Sequence, residues 1–239
     1  MTDPASTVLT AADLPFFGRS GLDVAPDLLG RHLAHTTAAG RVVVRLTEVE
    51  AYLGGDDPGS HAFRGQTPRT AVMFGPPGHL YVYFTYGMHW CVNIVCGRSG
   101  VASAVLLRGG EVVEGLDLAR ARRPTSTSDR DLARGPSLLA KALGLDAAAN
   151  GAALGGDVEL SGGRAAGTVV TGPRVGVSGP GGDTEQYPWR FWLDGEPTVS
   201  VYRPGVVRGK PRRTAGAPSG TLDPDTRRTA RPVSTRGLP

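Results

Sequence analysis

Lysine is nearly missing from this chain: Lys141 and Lys210 are the only two in 239 residues. An enzyme that forms a Schiff base with its substrate needs a reactive amine, and one of these lies in a predicted helix, the other in a basic tail. Cysteine is equally scarce. Cys91 and Cys96 fall five apart on one predicted strand and so point to opposite faces. A disulfide between them is not expected, and two thiols are too few for an iron–sulfur cluster or a cysteine zinc site. We expect no metal and no cofactor. No apolar run approaches the ~20 residues of a membrane span, and Met1-Thr-Asp-Pro-Ala lacks the regions of a signal peptide. The expected location is the cytoplasm, at the nucleoid if the chain is bacterial, with no membrane partner. Glycine (35) and proline (19) are abundant instead, which favours a loop-rich, β-containing fold over a helical bundle.

The net charge of +4 is unevenly spread. Residues 203–239 hold nine of the 26 basic residues and two of the 22 acidic ones, leaving 17 against 20, or −3, in residues 1–202. The alkaline character belongs to the tail, so any contact between the body and nucleic acid must rest on local arginines. From Pro204 onward Pro, Gly, Arg, Thr and Ser dominate, the composition of a disordered basic tail.

Two stretches organise the rest. Residues 41–53 read as a buried strand that ends in acid and aromatic residues. Strict alternation places Val42, Val44, Leu46, Glu48 and Glu50 on one face, and Val43, Arg45, Thr47 and Val49 on the other. Glu50 thus continues an aliphatic row, and an acid on a core face needs a partner, a water or a task. Residues 79–95 read as an aromatic hairpin, with Leu80, Val82 and Phe84 facing one way, Tyr81, Tyr83 and Thr85 the other, and Tyr86-Gly87-Met88 as the turn. The loop between the stretches is long and lacks periodicity of its own, which marks it as functional or disordered. Around them we predict an ordered segment over 10–17 and an amphipathic helix over 23–35. Further helices are predicted over 115–121 and 136–145, and strands over 101–107, 158–160, 169–170, 174–177 and 198–202.

Taken singly these residues have plain explanations. Glu50 could be an ion-paired structural acid, His61 a surface residue, and Tyr52, Tyr81 and Tyr83 packing at a sheet edge. The combination is more specific. Thr47-Glu-Val-Glu-Ala-Tyr-Leu-Gly54, His61, Arg64-Gly-Gln-Thr-Pro-Arg69, Met73-Phe74 and Leu80-Tyr-Val-Tyr-Phe-Thr-Tyr-Gly-Met88 through Cys91-Val-Asn93 closely resemble the alkyladenine (3-methyladenine) DNA glycosylases of the mammalian methylpurine type. The similarity resumes at Ala104-Val-Leu-Leu-Arg108, Gly135-Pro-Ser-Leu-Leu139, Pro173-Arg-Val-Gly-Val177 and Trp189-Arg-Phe191, so that it spans roughly residues 15–203 in order.

The resemblance implies a single α+β domain over 13–203, with a mainly antiparallel, curved β-sheet, short flanking helices and a projecting β-hairpin. An extended N-terminus (1–12) and the tail (204–239) would lie outside it. The activity implied is removal of alkylated or deaminated purines from duplex DNA by base flipping, in base excision repair. Glu50 matches the family's general base, and Tyr52, His61 and Tyr83 match the residues that sandwich the flipped base. Asn93 matches the pocket residue that excludes the amino group of guanine, and Tyr86 the side chain inserted into the minor groove. Arg108 matches an arginine that contacts DNA near the flipped nucleotide; Arg64, Arg69 and Met88 lie in matching segments and are expected at DNA as well. The scarcity of lysine points to a monofunctional enzyme that leaves an intact abasic site; a monomer is expected because a single flipped base needs only one site. The competing reading is a non-catalytic damage sensor with the same pocket, against which the water-activating Glu50 argues.

Overall fold

The run of β-branched residues between Arg41 and Glu50 commits this segment to strand, and the sheet is assembled around it. The computed structural model describes residues 7–85, 87–165 and 167–206. Ten strands form one antiparallel sheet: β1 (Val8–Leu9), β2 (His32–Thr37), β3 (Gly40–Tyr52), β4 (Leu80–Thr85), β5 (His89–Val95), β6 (Ala104–Glu114), β7 (Ala133–Arg134), β8 (Val158–Ser161), β9 (Val169–Gly172) and β10 (Arg190–Leu193). The main path runs β1-β8-β2-β3-β6-β5-β4. Along one edge β3 pairs first with β2, from Gly40 to Arg45, and then with β10, from Glu48 to Glu50. Its other edge follows β6 from Val43 to Tyr52. Exchanging neighbours halfway along a strand curls the sheet into a half-barrel.

Four short helices cover it: α1 (Leu14–Phe17), α2 (Gly21–Leu28), α3 (Leu116–Arg122) and α4 (Pro136–Leu143). On α4, Pro136 occupies the first turn and Gly144 closes the helix in the left-handed conformation. Leu139, Ala140, Ala142 and Leu143 turn into a core shared with Val24 and Leu28 of α2 and with Val44, Leu46, Val92 and Leu107 of the sheet. The architecture is α+β, as expected. Among the described residues, no helix is long and apolar enough to cross a membrane.

Three expectations are corrected. The helix over 23–35 stops at Leu28: Leu29 is already extended, and Gly30 takes a positive φ of 84° where a side chain would collide with Ala165. Residues 32–37 then become β2, because β3 and β8 offer them a ladder on both edges. Residues 174–177 and 198–202 are irregular rather than strands, and the late strand is β10 between them. The even alternation along β3 is broken. Leu46 opposes Gly110, Glu48 opposes Gly109 and Val49 opposes Leu107, which leaves Thr47 as an extra residue on β3 and Arg108 as one on β6. The core row therefore runs Val42, Val44, Leu46 and then Val49, Ala51, while Glu48 and Glu50 turn to the other face.

The loop between β3 and β4 is ordered. Its Ala62 and Met73 are buried with Tyr81, Val95, Ala102 and Ala104 in a second, smaller apolar cluster. Tyr86, Ala166, residues 1–6 and residues 207–239 lie outside the described residues, so the expectations for the groove-inserting side chain, for most of the tail and for half of the extended N-terminus concern residues outside this description.

Candidate active site

The end of β3 brings Tyr52 into the wall of a cavity of about 410 Å³. Tyr52, His61, Met73, Tyr83, Asn93 and Arg108 all line it, joined by Cys91, Leu106 and a rim of Val175, Gly176 and Val177. Two adjacent strands explain the aromatic wall: residues two apart on β4 share a face, so Tyr81 and Tyr83 stand side by side with ring centroids 5.5 Å apart. His61 arrives from the ordered loop and meets Tyr83 edge-on at 4.5 Å, its Nδ1 lying 3.3 Å from the Tyr81 hydroxyl. Asn93 is fixed by donating Nδ2–H to the Tyr81 carbonyl at 3.0 Å.

Glu50 is wholly buried and does not itself line the cavity, but it is hydrogen-bonded to three residues that do. Its Oε1 accepts the Val175 amide N–H at 2.7 Å, and its Oε2 accepts the Tyr52 hydroxyl at 2.8 Å and Arg108 Nη1 at 3.3 Å. A carboxylate offers about four lone-pair positions, so these donors leave one, on Oε1. Arg108 is itself buried, bridging Glu50 and Glu48. Burial works against its charge, and the Glu50 and Glu48 carboxylates outweigh burial and raise its pKa.

Glu48 anchors that bridge. It accepts Arg108 Nε at 2.8 Å, Arg190 Nε at 2.7 Å, and the Ser200 amide and hydroxyl at 2.7 and 2.9 Å. Burial favours its neutral form, yet the Arg108 and Arg190 cations and the Ser200 amide hold its carboxyl below the usual range. The phenols behave oppositely. Burial, followed by the nearby Glu50 charge, lifts Tyr52 well above an ordinary phenol, and burial with the Cys91 thiol lifts Tyr83. Both rings stay neutral donors. His61 is exposed, yet partial burial of its ring against Tyr81 and Tyr83, and then the Arg69 cation, push it below the usual imidazole value.

Two further expectations concern the surface. Arg64 and Arg69 are exposed, the Arg69 guanidinium 5.5 Å from the Tyr83 ring centroid, and Met88 beside the hairpin turn is 67% exposed. The residues that sequence reasoning passed over are Glu48, Arg190, Asp57 and Arg174. An acid two residues before Glu50 on the same strand was the available signal for Glu48. Arg174 and Asp57 form a wholly buried ion pair at 2.6 Å behind Tyr52, and nothing local to either residue announces it.

Comparison with known proteins agrees with the site. The family model for methylpurine-DNA glycosylase matches residues 15–197. Three curated relatives, each provisionally named a 3-methyladenine DNA glycosylase, come from Streptomyces avermitilis, Leifsonia xyli subsp. xyli and Frankia casuarinae. The first is 58% identical over 81% of this chain and 92% of its own length. The second is 55% identical over 78% and 90%, and the third 52% identical over 79% and 92%. The chain belongs to the methylpurine-DNA glycosylase family and is a DNA-repair glycosylase that processes alkylated bases.

Proposed function

We propose that this enzyme flips an alkylated or deaminated purine out of duplex DNA and hydrolyses its N-glycosidic bond, leaving an abasic site. The observation that carries the reading is a buried carboxylate, Glu50, hydrogen-bonded directly to Tyr52, Arg108 and Val175 of the cavity lining, with one acceptor position left over. A base inside a duplex is out of reach and must leave the stack. Tyr86 fills the vacated space as a minor-groove wedge, with Met88 beside it and Arg64 and Arg69 on the phosphates. The extruded base then stacks against Tyr52 on one side and His61 and Tyr83 on the other, each stacked base being worth ~1–3 kcal/mol. An electron-poor alkylpurine gains most from electron-rich rings, by the attraction that draws cations to aromatic faces. Asn93 limits which purine edge fits.

The chemistry is a displacement at C1′ of the sugar. As the C1′–N bond lengthens, its electron pair passes to the purine, and positive charge grows on the sugar, which the carboxylate stabilises. Water bonds to C1′ and gives its proton to Glu50. A purine alkylated on a ring nitrogen already carries a positive charge, so taking the bond pair leaves it neutral and no acid is required; a neutral deaminated purine leaves as the nitrogen anion and takes its proton from water. Arg108 orients the carboxylate near the flipped nucleotide. Lys141 is exposed on α4 and does not line the cavity, which supports water rather than an amine as the nucleophile.

The test is base release from duplexes carrying one hypoxanthine or one ethenoadenine, and from methylated DNA, with Glu50→Gln as control. Release that disappears in the control, with lesion binding retained, supports the reading, and full activity in Glu50→Gln rejects it. A covalent adduct trapped by borohydride would reject the monofunctional assignment. Retained duplex affinity in Tyr86→Ala would reject the wedge.

A further inference from the structure

We propose that the buried Asp57–Arg174 ion pair is a positioning device that sets Glu50 and Tyr52 for base release; this rests on the roles given to those two residues above. Both side chains are wholly buried. Arg174 presents Nη1 and Nη2 to the two Asp57 oxygens at 2.6 Å each, while Asp57 also accepts the Leu53 and Gly59 amides at 3.2 and 2.8 Å. The fork–fork arrangement fixes a plane and not merely a distance.

Three links run from that plane to the site. Arg174 Nη1 donates to the carbonyl of Ala51, the residue between Glu50 and Tyr52, at 3.0 Å. The residue after Arg174 supplies the Val175 amide that holds Glu50 Oε1 at 2.7 Å. The guanidinium carbon also lies 4.5 Å from the centroid of the Tyr52 ring, whose hydroxyl holds the other Glu50 oxygen. One cation thus reaches the carboxylate through the backbone on both sides and through the ring. Its Nε is the only buried side-chain nitrogen or oxygen among the described residues without a hydrogen-bond partner. It is held among the rings of Tyr52, Trp189 and Tyr187, with the guanidinium 5.2 and 5.7 Å from the latter two.

Arg174 does not line the cavity, so it cannot touch a bound base, and its effect has to pass through its neighbours. Burying two charges costs desolvation that a hydrophobic pair would avoid. What the pair supplies is orientation. A reacting group displaced by ~1 Å can lose ~10²-fold in rate, and the cavity rim from Val175 to Val177 is carried by the same anchored segment.

The experiment uses the full chain and a duplex with a single ethenoadenine. Arg174→Lys keeps the charge and removes the fork. Asp57→Asn combined with Arg174→Gln removes both charges, so that a folded protein is available even if the poorer pairing of a buried lysine with Asp57 unfolds the first variant. For each, binding stoichiometry, duplex affinity and single-turnover release are measured. The expected result is a loss of about 10- to 100-fold in release per bound enzyme, with affinity held within about threefold. A merely structural role would lower the stoichiometry and leave the rate per bound enzyme at the wild-type value, and that outcome overturns the proposal. Glu50→Gln is measured alongside: a wild-type rate there rejects the underlying reading and the proposal with it, whereas an inactive Glu50→Gln beside fully active Arg174 variants rejects the proposal alone.

Discussion

The Tyr52 hydroxyl donates to Glu50 Oε2 at 2.8 Å, so the ring proposed to stack on the base and the acid proposed to activate water move as one unit. Hydrogen bonds to a charged group contribute roughly 1.5–3 kcal/mol. Tyr52→Phe keeps the stacking surface and removes only this donor. We expect lesion affinity to hold within about threefold and single-turnover release to fall about tenfold or more. An unchanged release rate would show that the hydroxyl has no part in orienting the acid.

His61 should be neutral at pH 7, since burial and then the Arg69 cation both disfavour its protonated form. Its titration, followed by the ring C–H resonances, is expected to have a midpoint below the ordinary ~6.5. In Arg69→Gln the midpoint should rise only part of the way, because burial is the larger cause. A midpoint at or above the ordinary value in the wild type would contradict the packing of this ring against Tyr81 and Tyr83.

Glu48 links stability to acid. Its folded pKa is depressed below the unfolded one, the Arg108 and Arg190 cations overcoming burial. The unfolded chain therefore binds the proton first, and Glu48's contribution is complete above the unfolded value of about 4.3 and is lost as pH falls through the folded value. Thermal unfolding from pH 7 to pH 3 should show the wild type losing stability below about 5. Glu48→Gln leaves buried Arg190 without a carboxylate and Arg108 with Glu50 alone. At a cost of about 3–5 kcal/mol for the broken buried pair, it should be weaker at pH 7 and fall less steeply in acid. Parallel curves for the two proteins would remove Glu48 from the account.

The basic residues beyond Tyr202 prompt a separate proposal, that this segment tethers the enzyme to DNA without reading sequence. Counterion release then makes affinity fall with salt, by ~0.9 log unit per log unit of salt for each phosphate neutralised. Removing residues 204–239 should flatten that dependence while leaving release per bound enzyme unchanged. Identical slopes would return the segment to a solvated terminus.

Much of this was legible in the residues, and the exceptions have physical reasons. That residues 41–53 form a strand and that 79–95 form a hairpin are read correctly because β-branched runs and a Gly87 turn are local signals, whereas the bulge at Thr47 that breaks the alternation depends on the partner strand β6. The helix over 23–35 runs too far because Val24, Leu28, Leu29 and Leu33 fit a helical stripe, whereas the identity of β2 is settled by its partners β3 and β8. Residues 174–177 look like a strand from their valines. Their backbone is instead held by side chains: Arg174 on Asp57, and the Val175 amide on Glu50. The proposed site residues were named through family resemblance, but Glu48 finds Arg190 across 142 residues and Arg174 finds Asp57 across 117. Pairings that distant leave no periodicity to read.

The surplus residue at Thr47 gives β3 something like a reading frame. Upstream, even-numbered positions address the core; downstream, the odd-numbered Val49 and Ala51 do, and even-numbered Glu48 and Glu50 turn to the opposite face, toward Arg108. Gly110 keeps the two phases in close apposition, since any side chain there would run into Arg45 O and Val44 Cγ1. Replacing Thr47 changes one letter. Deleting it would remove the bulge and leave both acids on the face they now occupy, whereas inserting one residue after it, with the bulge kept, would turn Glu48 and Glu50 toward the aliphatic interior and Val49 and Ala51 away from it. This strand can tolerate much in spelling and no added residue.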